Sequence, residues 1–180
     1  MIYVFLAEGF EENEALVTVD LIRRAGFEIR MVSVGDDMKV TGAHGIPVFA
    51  DFKETEYCDI MPAVVILPGG MPGTENLEKS ATVDFAIYNA MERGNLVCAI
   101  CAAPSILGKR GYLQGKKATC YPGFENELIG ATVVDERVVR DGNIITAKGM
   151  GCATEFALAI IEAIAGKEKA DEVAKSALIV

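Results

Sequence analysis

Apolar residues along the chain fall into short runs separated by stretches of helical periodicity. Ile2–Ala7 is almost wholly apolar and reads as a buried strand. Gly9 and the carboxylates Glu8, Glu11 and Glu12 interrupt it. Ala15, Leu16, Val19, Leu21 and Ile22 then recur at roughly helical spacing, and Arg23, Arg24 and Gly26 supply a stop. Phe27–Val34 is a second strand, so the segment reads as a βαβ unit with parallel strands.

Lys39–Thr41 and Ile46–Ala50 suit a small β-hairpin. Ala63–Leu67 is a strand that stops at Pro68-Gly69-Gly70. Ser80 or Thr82 can cap a helix running to about Arg93, with Gly94 as its end. Leu96–Ile100 is another buried strand and runs directly into Cys101, after which Ala102–Lys109 reads as helix. Lys117–Cys120 is a further strand. Arg137–Arg140 and Asn143–Ala147 flank Asp141-Gly142, which predicts a type I′ hairpin. Glu155–Ala165, ended by Gly166, and Lys167–Lys175 are the last two helices.

Strands alternating with helices predict a doubly wound, mainly parallel α/β sheet sandwiched by helices. A barrel would need more βα units than the chain supplies. The 180 residues suit one domain over 1–180, with no internal repeat or linker.

Composition narrows the function. Apolar residues make up 51% and charged residues 24%, as in globular proteins. A net charge of −9 repels phosphate backbones, so nucleic acid is not an expected partner. No apolar run reaches the roughly 18 residues of a membrane span. Five cysteines, an odd number without scaffold spacing, fit a reducing cytoplasm.

Cys101 is the main chemical candidate. Ligand sites in open α/β sheets form at the carboxyl ends of strands. A thiol there, facing a helix start, is expected to ionise more readily. The small residues Ala102 and Ala103 permit a tight turn and close approach of a substrate. A buried core cysteine is the alternative. Cys98 and Cys101 form Cys-x-x-Cys, but three extended steps would separate them by about 10 Å, beyond disulfide reach. No further ligands at zinc-site spacing appear, so no metal is expected.

Gly69 and Gly70 follow a strand and either cradle an oxyanion with bare N–H groups or form an ordinary turn. Glu11, Glu12 and Glu14 follow the first strand. One of them could be held protonated by burial and share a proton with sulfur; otherwise they serve as helix N-terminal charges. His44, the single histidine, lies in a turn, by sequence far from the strand ends. There is no phosphate-binding glycine motif, so no nucleotide cofactor is expected.

These residues resemble the DJ-1/ThiJ/PfpI superfamily, in its DJ-1-like branch, over nearly the whole chain. The matching pieces are Ala7-Glu8-Gly9-Phe10-Glu11-Glu12-Asn13-Glu14, Leu67-Pro68-Gly69-Gly70, Ala99-Ile100-Cys101-Ala102-Ala103-Pro104, and Lys148-Gly149-Met150-Gly151 followed by Glu155-Phe156-Ala157-Leu158-Ala159. Their order and spacing carry the resemblance. It implies a flavodoxin-like, class I glutamine amidotransferase-like fold and a homodimer. It also implies an easily oxidised Cys101 facing Glu14, with Gly69, Gly70, Ala102 and Tyr121 around a small carbonyl substrate. The activities it implies are a cofactor-free glyoxalase or deglycase, with a redox-responsive chaperone as the alternative. The family's peptidase branch carries a His directly after the nucleophile, where this chain has Ala102. DJ-1-like members often carry His before Pro on the strand after the elbow helix, and here the pair is Tyr121-Pro122. A tyrosine donates a hydrogen bond but is not a base at neutral pH, so Glu14 would carry the proton transfers.

Overall fold

The computed structural model describes residues 1–179 of the chain. The first half contains β1 (Ile2–Ala7), α1 (Glu12–Arg24), β2 (Ile29–Val34), β3 (Lys39–Thr41), β4 (Pro47–Phe49), β5 (Phe52–Lys53), β6 (Val64–Leu67), α2 (Gly73–Lys79) and α3 (Ala81–Glu92). The second contains β7 (Leu96–Ile100), α4 (Pro104–Lys109), β8 (Lys117–Ala118), β9 (Thr132–Val133), β10 (Val138–Asp141), β11 (Ile144–Ala147), α5 (Ala153–Ala165) and α6 (Lys167–Ser176).

Seven strands form the central sheet in the order β10-β11-β7-β6-β1-β2-β5. Every neighbouring pair is parallel except β10 with β11. The expected α/β architecture is therefore the observed one, with β3 and β4 as a separate antiparallel hairpin.

Strand periodicity feeds two cores at once. Ile2, Val4 and Leu6 of β1 pack with apolar residues of α1, α5 and α6. Tyr3, Phe5 and Ala7 point the other way, to a core shared with α2, α3 and α4. A strand covered on both faces must be apolar throughout, which is why β1 and β6 read as unbroken runs.

Several expected boundaries shift. The run from Phe27 enters the sheet only at Ile29, and the one from Ala63 at Val64. The strand expected over Lys117–Cys120 ends at Ala118, because Thr119 N–H turns to Thr146 Oγ1. The last hairpin turns at Gly142-Asn143 and not at Asp141-Gly142, since Asp141 pairs with Ile144. Only Gly142 there has positive φ, so the turn is not type I′, which needs positive φ at both central residues. Helix α4 begins at Pro104, later than Ala102, after a turn over Cys101–Ala103. Helix α2 was not legible from periodicity: it has seven residues, of which the hydrophobic core takes only Leu77. Ser80 caps α3 as expected, its Oγ accepting from Val83 N–H at 3.1 Å.

Candidate functional site

Strand β7 sends Val97 and Ala99 to the α3 side and Cys98 and Ile100 to the α5 side. Alternation would send Cys101 to the α3 side as well. It packs instead against the α5-side core. The reason is a backbone φ of 66°, the left-handed region, which a non-glycine residue enters only under constraint. That constraint is visible. Cys101 N–H donates to Ala147 O at 2.9 Å, and Tyr121 N–H donates to Cys101 O at 2.8 Å. The sulfur is thereby turned out of the sheet at its carboxyl edge, as at a nucleophile elbow.

Gly69 and Gly70 press against this elbow from the end of β6. A β-carbon at Gly69 would sit 2.5 Å from Cys101 Cβ and 2.8 Å from Glu14 Oε2. At Gly70, where φ is 88°, it would meet Glu11 N at 2.4 Å. Both positions therefore exclude side chains. The N–H groups of Gly70 and Ala102 hydrogen-bond the Cys101 sulfur. They belong to turns; α4 starts too late to aim its N-terminus at the thiol.

Glu14 closes the other side. It is 1% exposed, and its Oε2 accepts Gly69 N–H at 2.8 Å. Oε1 is buried without a nitrogen or oxygen partner among the described residues. Glu11 holds the start of α1, its Oε2 accepting Glu14 N–H at 2.7 Å. Burial, and secondarily the Glu11 charge, raise the Glu14 carboxyl to about 7, against the pull of the Gly69 hydrogen bond.

The expectation of a readily ionised thiol needs correction. Burial first, and then the Glu14 charge, push Cys101 up to about 12. The two groups interact strongly enough to titrate as a pair. Only one of them can ionise near neutrality, because a second negative charge in this buried site is opposed by the first. Two N–H groups face the sulfur and one faces the carboxyl. The hydrogen bond between Glu14 and Cys101 lowers the carboxyl and raises the thiol, so the single charge rests on Glu14 with the Cys101 thiol as donor, and the two N–H groups are in place for charge that develops on sulfur during reaction.

The cavity above the pair has a volume of about 500 Å³. Glu14, His44, Cys101, Tyr121, Arg137 and Cys152 are among its lining residues. Tyr121 is half exposed, its ring packed near Gly149. His44 is not remote, contrary to the sequence expectation. The β3–β4 hairpin folds over the end of β1, with Gly9 N–H donating to Thr41 O at 2.8 Å. Buried Glu12 anchors that hairpin: Oε1 accepts His44 N–H at 2.8 Å, and Oε2 pairs with His44 Nδ1 at 2.8 Å. His44 is thus committed to Glu12 and its titration is raised by that carboxylate. Although burial acts to raise Glu12, the His44 and backbone hydrogen bonds hold it below the usual carboxylate value.

Sequence reasoning gave no role to Arg137, Lys148 or Cys152. Arg137 is paired to Glu155, and Lys148 to Asp135. The signal for them was available: Lys148 to Cys152 follow β11, the neighbour of β7, at the same edge of the sheet. Cys98 is fully buried in β7, and burial drives its thiol far up, so it has no part in the site. A second cavity of about 520 Å³, lined by Met1, Ile2, Val64 and Leu96, opens at the opposite strand ends, away from these groups.

Glu11, Glu12 and His44 have ligand-type atoms within 4.8 Å of one another. Their nearby hydrogen bonds to main-chain N–H groups and to each other already account for the cluster's closeness.

Comparison with known proteins identifies the family and the fold. A profile of the DJ-1/PfpI family matches residues 1–163. The Drosophila melanogaster protein dj-1beta is 38% identical over 178 residues, covering 98% of this chain and 95% of its own. A Caenorhabditis elegans relative named as a glutathione-independent glyoxalase is 30% identical, covering 93% of this chain and 90% of its own. The solved structure of Toxoplasma gondii DJ-1, described as oxidized, superposes with a TM-score of 0.91 at 36% identity, covering 98% of this chain and 97% of that one. The chain belongs to the DJ-1/PfpI family.

Proposed function

We propose that the chain is a cofactor-independent glyoxalase acting on small 2-oxoaldehydes, with Cys101 as nucleophile and Glu14 moving the protons. The observation that carries this reading is the buried Glu14–Cys101 pair, which holds an exchangeable proton at the base of an open cavity. The name of the C. elegans relative supports the same reaction class.

In this reading sulfur attacks the aldehyde carbon, and the thiol proton passes by way of Glu14 to the former carbonyl oxygen, giving a hemithioacetal. The Gly70 and Ala102 N–H groups stabilise the developing oxyanion. Glu14 then removes the proton from the sulfur-bearing carbon, forming an enediolate; the hydroxyl proton on that carbon passes to the neighbouring oxygen, and Glu14 returns its own proton to the adjacent carbon. The resulting thioester is hydrolysed by water to the 2-hydroxy acid, and the thiol is restored. The route needs no metal and no glutathione. The same attack on early aldehyde adducts of protein side chains would register as deglycase activity. Tyr121 flanks the substrate as a donor, with Gly69 fixing the carboxyl. One domain, a homodimer and a cytoplasmic setting complete the proposal.

Lactate formation from methylglyoxal, with chelator present, tests it. Turnover should vanish in Cys101→Ser and fall steeply in Glu14→Gln. Unchanged turnover in either variant sinks the mechanism.

A second reading is an oxidation-responsive protein with chaperone-like behaviour, in which Cys101 is modified without turnover. The oxidized state of the T. gondii relative and the partial exposure of Cys101 favour it. Intact mass after mild peroxide distinguishes it: oxygen must add first at Cys101.

A further inference from the structure

We propose that Cys152 is a resolving cysteine for Cys101, converting a peroxide-formed sulfenic acid into a Cys101–Cys152 disulfide. Of the four other cysteines, Cys152 is the one that lines the same cavity as Cys101. Both pack against the α5-side core, whereas Cys120 belongs to the opposite core and a separate cavity. Cys98 shares the α5 side but is sealed inside β7.

The turn that carries Cys152 starts beside Cys101. A β-carbon on Gly149 would lie 3.9 Å from Cys101 Sγ. Cys152 is three residues further on, in a tight turn where its N–H returns to Gly149 O at 2.7 Å. Gly151 sits within that turn with nothing near its missing side chain, so the backbone has room to bring Cys152 inward. Arg137 Nη2 donates to Gly151 O at 2.5 Å, placing a positive charge beside Cys152.

The chemistry balances with a peroxide as oxidant. The Cys101 thiolate attacks the peroxide; a sulfur–oxygen bond forms, the oxygen–oxygen bond breaks, and the alcohol or water leaves after taking a proton. The Cys152 thiolate then attacks the sulfenic sulfur. A disulfide forms, the sulfur–oxygen bond breaks, and hydroxide leaves as water. The pair has lost two electrons to one peroxide, and a small dithiol restores it. Closing the disulfide spares Cys101 the further, irreversible step to sulfinate.

The inference shares with the glyoxalase reading only a reactive sulfur at Cys101. Methylglyoxal turnover by the same preparation keeps failure of one separate from failure of the other. The test is hydrogen peroxide titration of the reduced full chain, followed by intact mass and non-reducing peptide mapping. Wild type should lose about 2 Da and yield a linked Cys101–Cys152 peptide, reversed by dithiothreitol. Under the same dose Cys152→Ser should gain about 32 Da on Cys101. The wild-type map needs no variant, and Cys152→Ala accompanies the serine change in case a hydroxyl is not accommodated. Sulfinate forming equally fast with and without Cys152 overturns the proposal. So does a bridge to Cys98 or Cys120, or a Cys101 inert to peroxide.

Discussion

Gly69 donates its N–H to Glu14 Oε2 at 2.8 Å while leaving no space for a side chain between that carboxyl and Cys101. One residue thus orients the acid and sets its distance from the sulfur. Gly69→Ala should disrupt both. An intruding methyl at such contacts costs about 1–3 kcal/mol. The expected result is a lower melting temperature together with loss of most 2-oxoaldehyde turnover. A fully active, equally stable Gly69→Ala would show that the contact is not restrictive.

The shared proton makes a prediction about reactivity. Because Glu14 and Cys101 titrate as a pair, the rate of Cys101 alkylation by iodoacetamide should rise with pH in two steps. The first lies near the Glu14 value of about 7 and the second far into the alkaline range, towards about 12. In Glu14→Gln one titrating partner is gone, and a single step should remain. Mass-resolved alkylation at Cys101 measures this directly.

Glu14 also taxes the fold. Its folded-state value stands above the ordinary carboxyl value of 4.5, so the folded protein holds a proton that the unfolded chain releases. The sign follows from linkage: stability is highest below about 4.5 and declines as pH rises to about 7. Glu14→Gln should therefore melt at a higher temperature than wild type at pH 8, with the gap narrowing towards pH 4.5. Melting curves across that range, showing a constant difference, would contradict the origin assigned to the shift.

Glu12 and His44 should respond unequally to mutation. Glu12 is buried and holds the His44 main-chain N–H, whereas the His44 ring is solvent-facing. Loss of a buried acceptor costs about 1–3 kcal/mol. Glu12→Ala should destabilise by that order and loosen the β3–β4 wall of the cavity. His44→Ala should have a much smaller effect. Since Glu12 raises the His44 titration, the ring's contribution is present below the usual histidine value and fades as pH rises past the folded-state one. Urea unfolding of the two variants at pH 6 and pH 8 decides between them.

Tyr121 stands where the family resemblance leads one to expect an imidazole. Tyr121→His should raise methylglyoxal turnover by adding a base at the rim, and Tyr121→Phe should lower it only modestly if Glu14 carries the proton transfers. A collapse of activity in the phenylalanine variant would instead give the hydroxyl an essential role.

The sheet was legible because its strands are short and apolar on both faces, and their order followed from strand–helix alternation. The identity of the central pair, Cys101 and Glu14, rested on position after β7 and β1 and on family resemblance. Their electrostatics were not legible. A thiol at a strand end reads as activated, but burial and the neighbouring carboxylate act in the opposite sense. Nor could the sequence place His44 and Cys152 at the cavity. They arrive through the tertiary folding of a hairpin and a tight turn, and neither leaves a periodic signature.

The chain contains no tryptophan and five tyrosines, so tyrosine emission is free of energy transfer to indole. Tyr121 is the tyrosine that lines the Cys101 cavity, and its main chain is hydrogen-bonded to that of Cys101. Adducts formed on the sulfur are therefore placed beside a built-in fluorophore. The Tyr121→Phe difference spectrum turns the tie between these two backbones into an optical readout of what is bound to the cysteine.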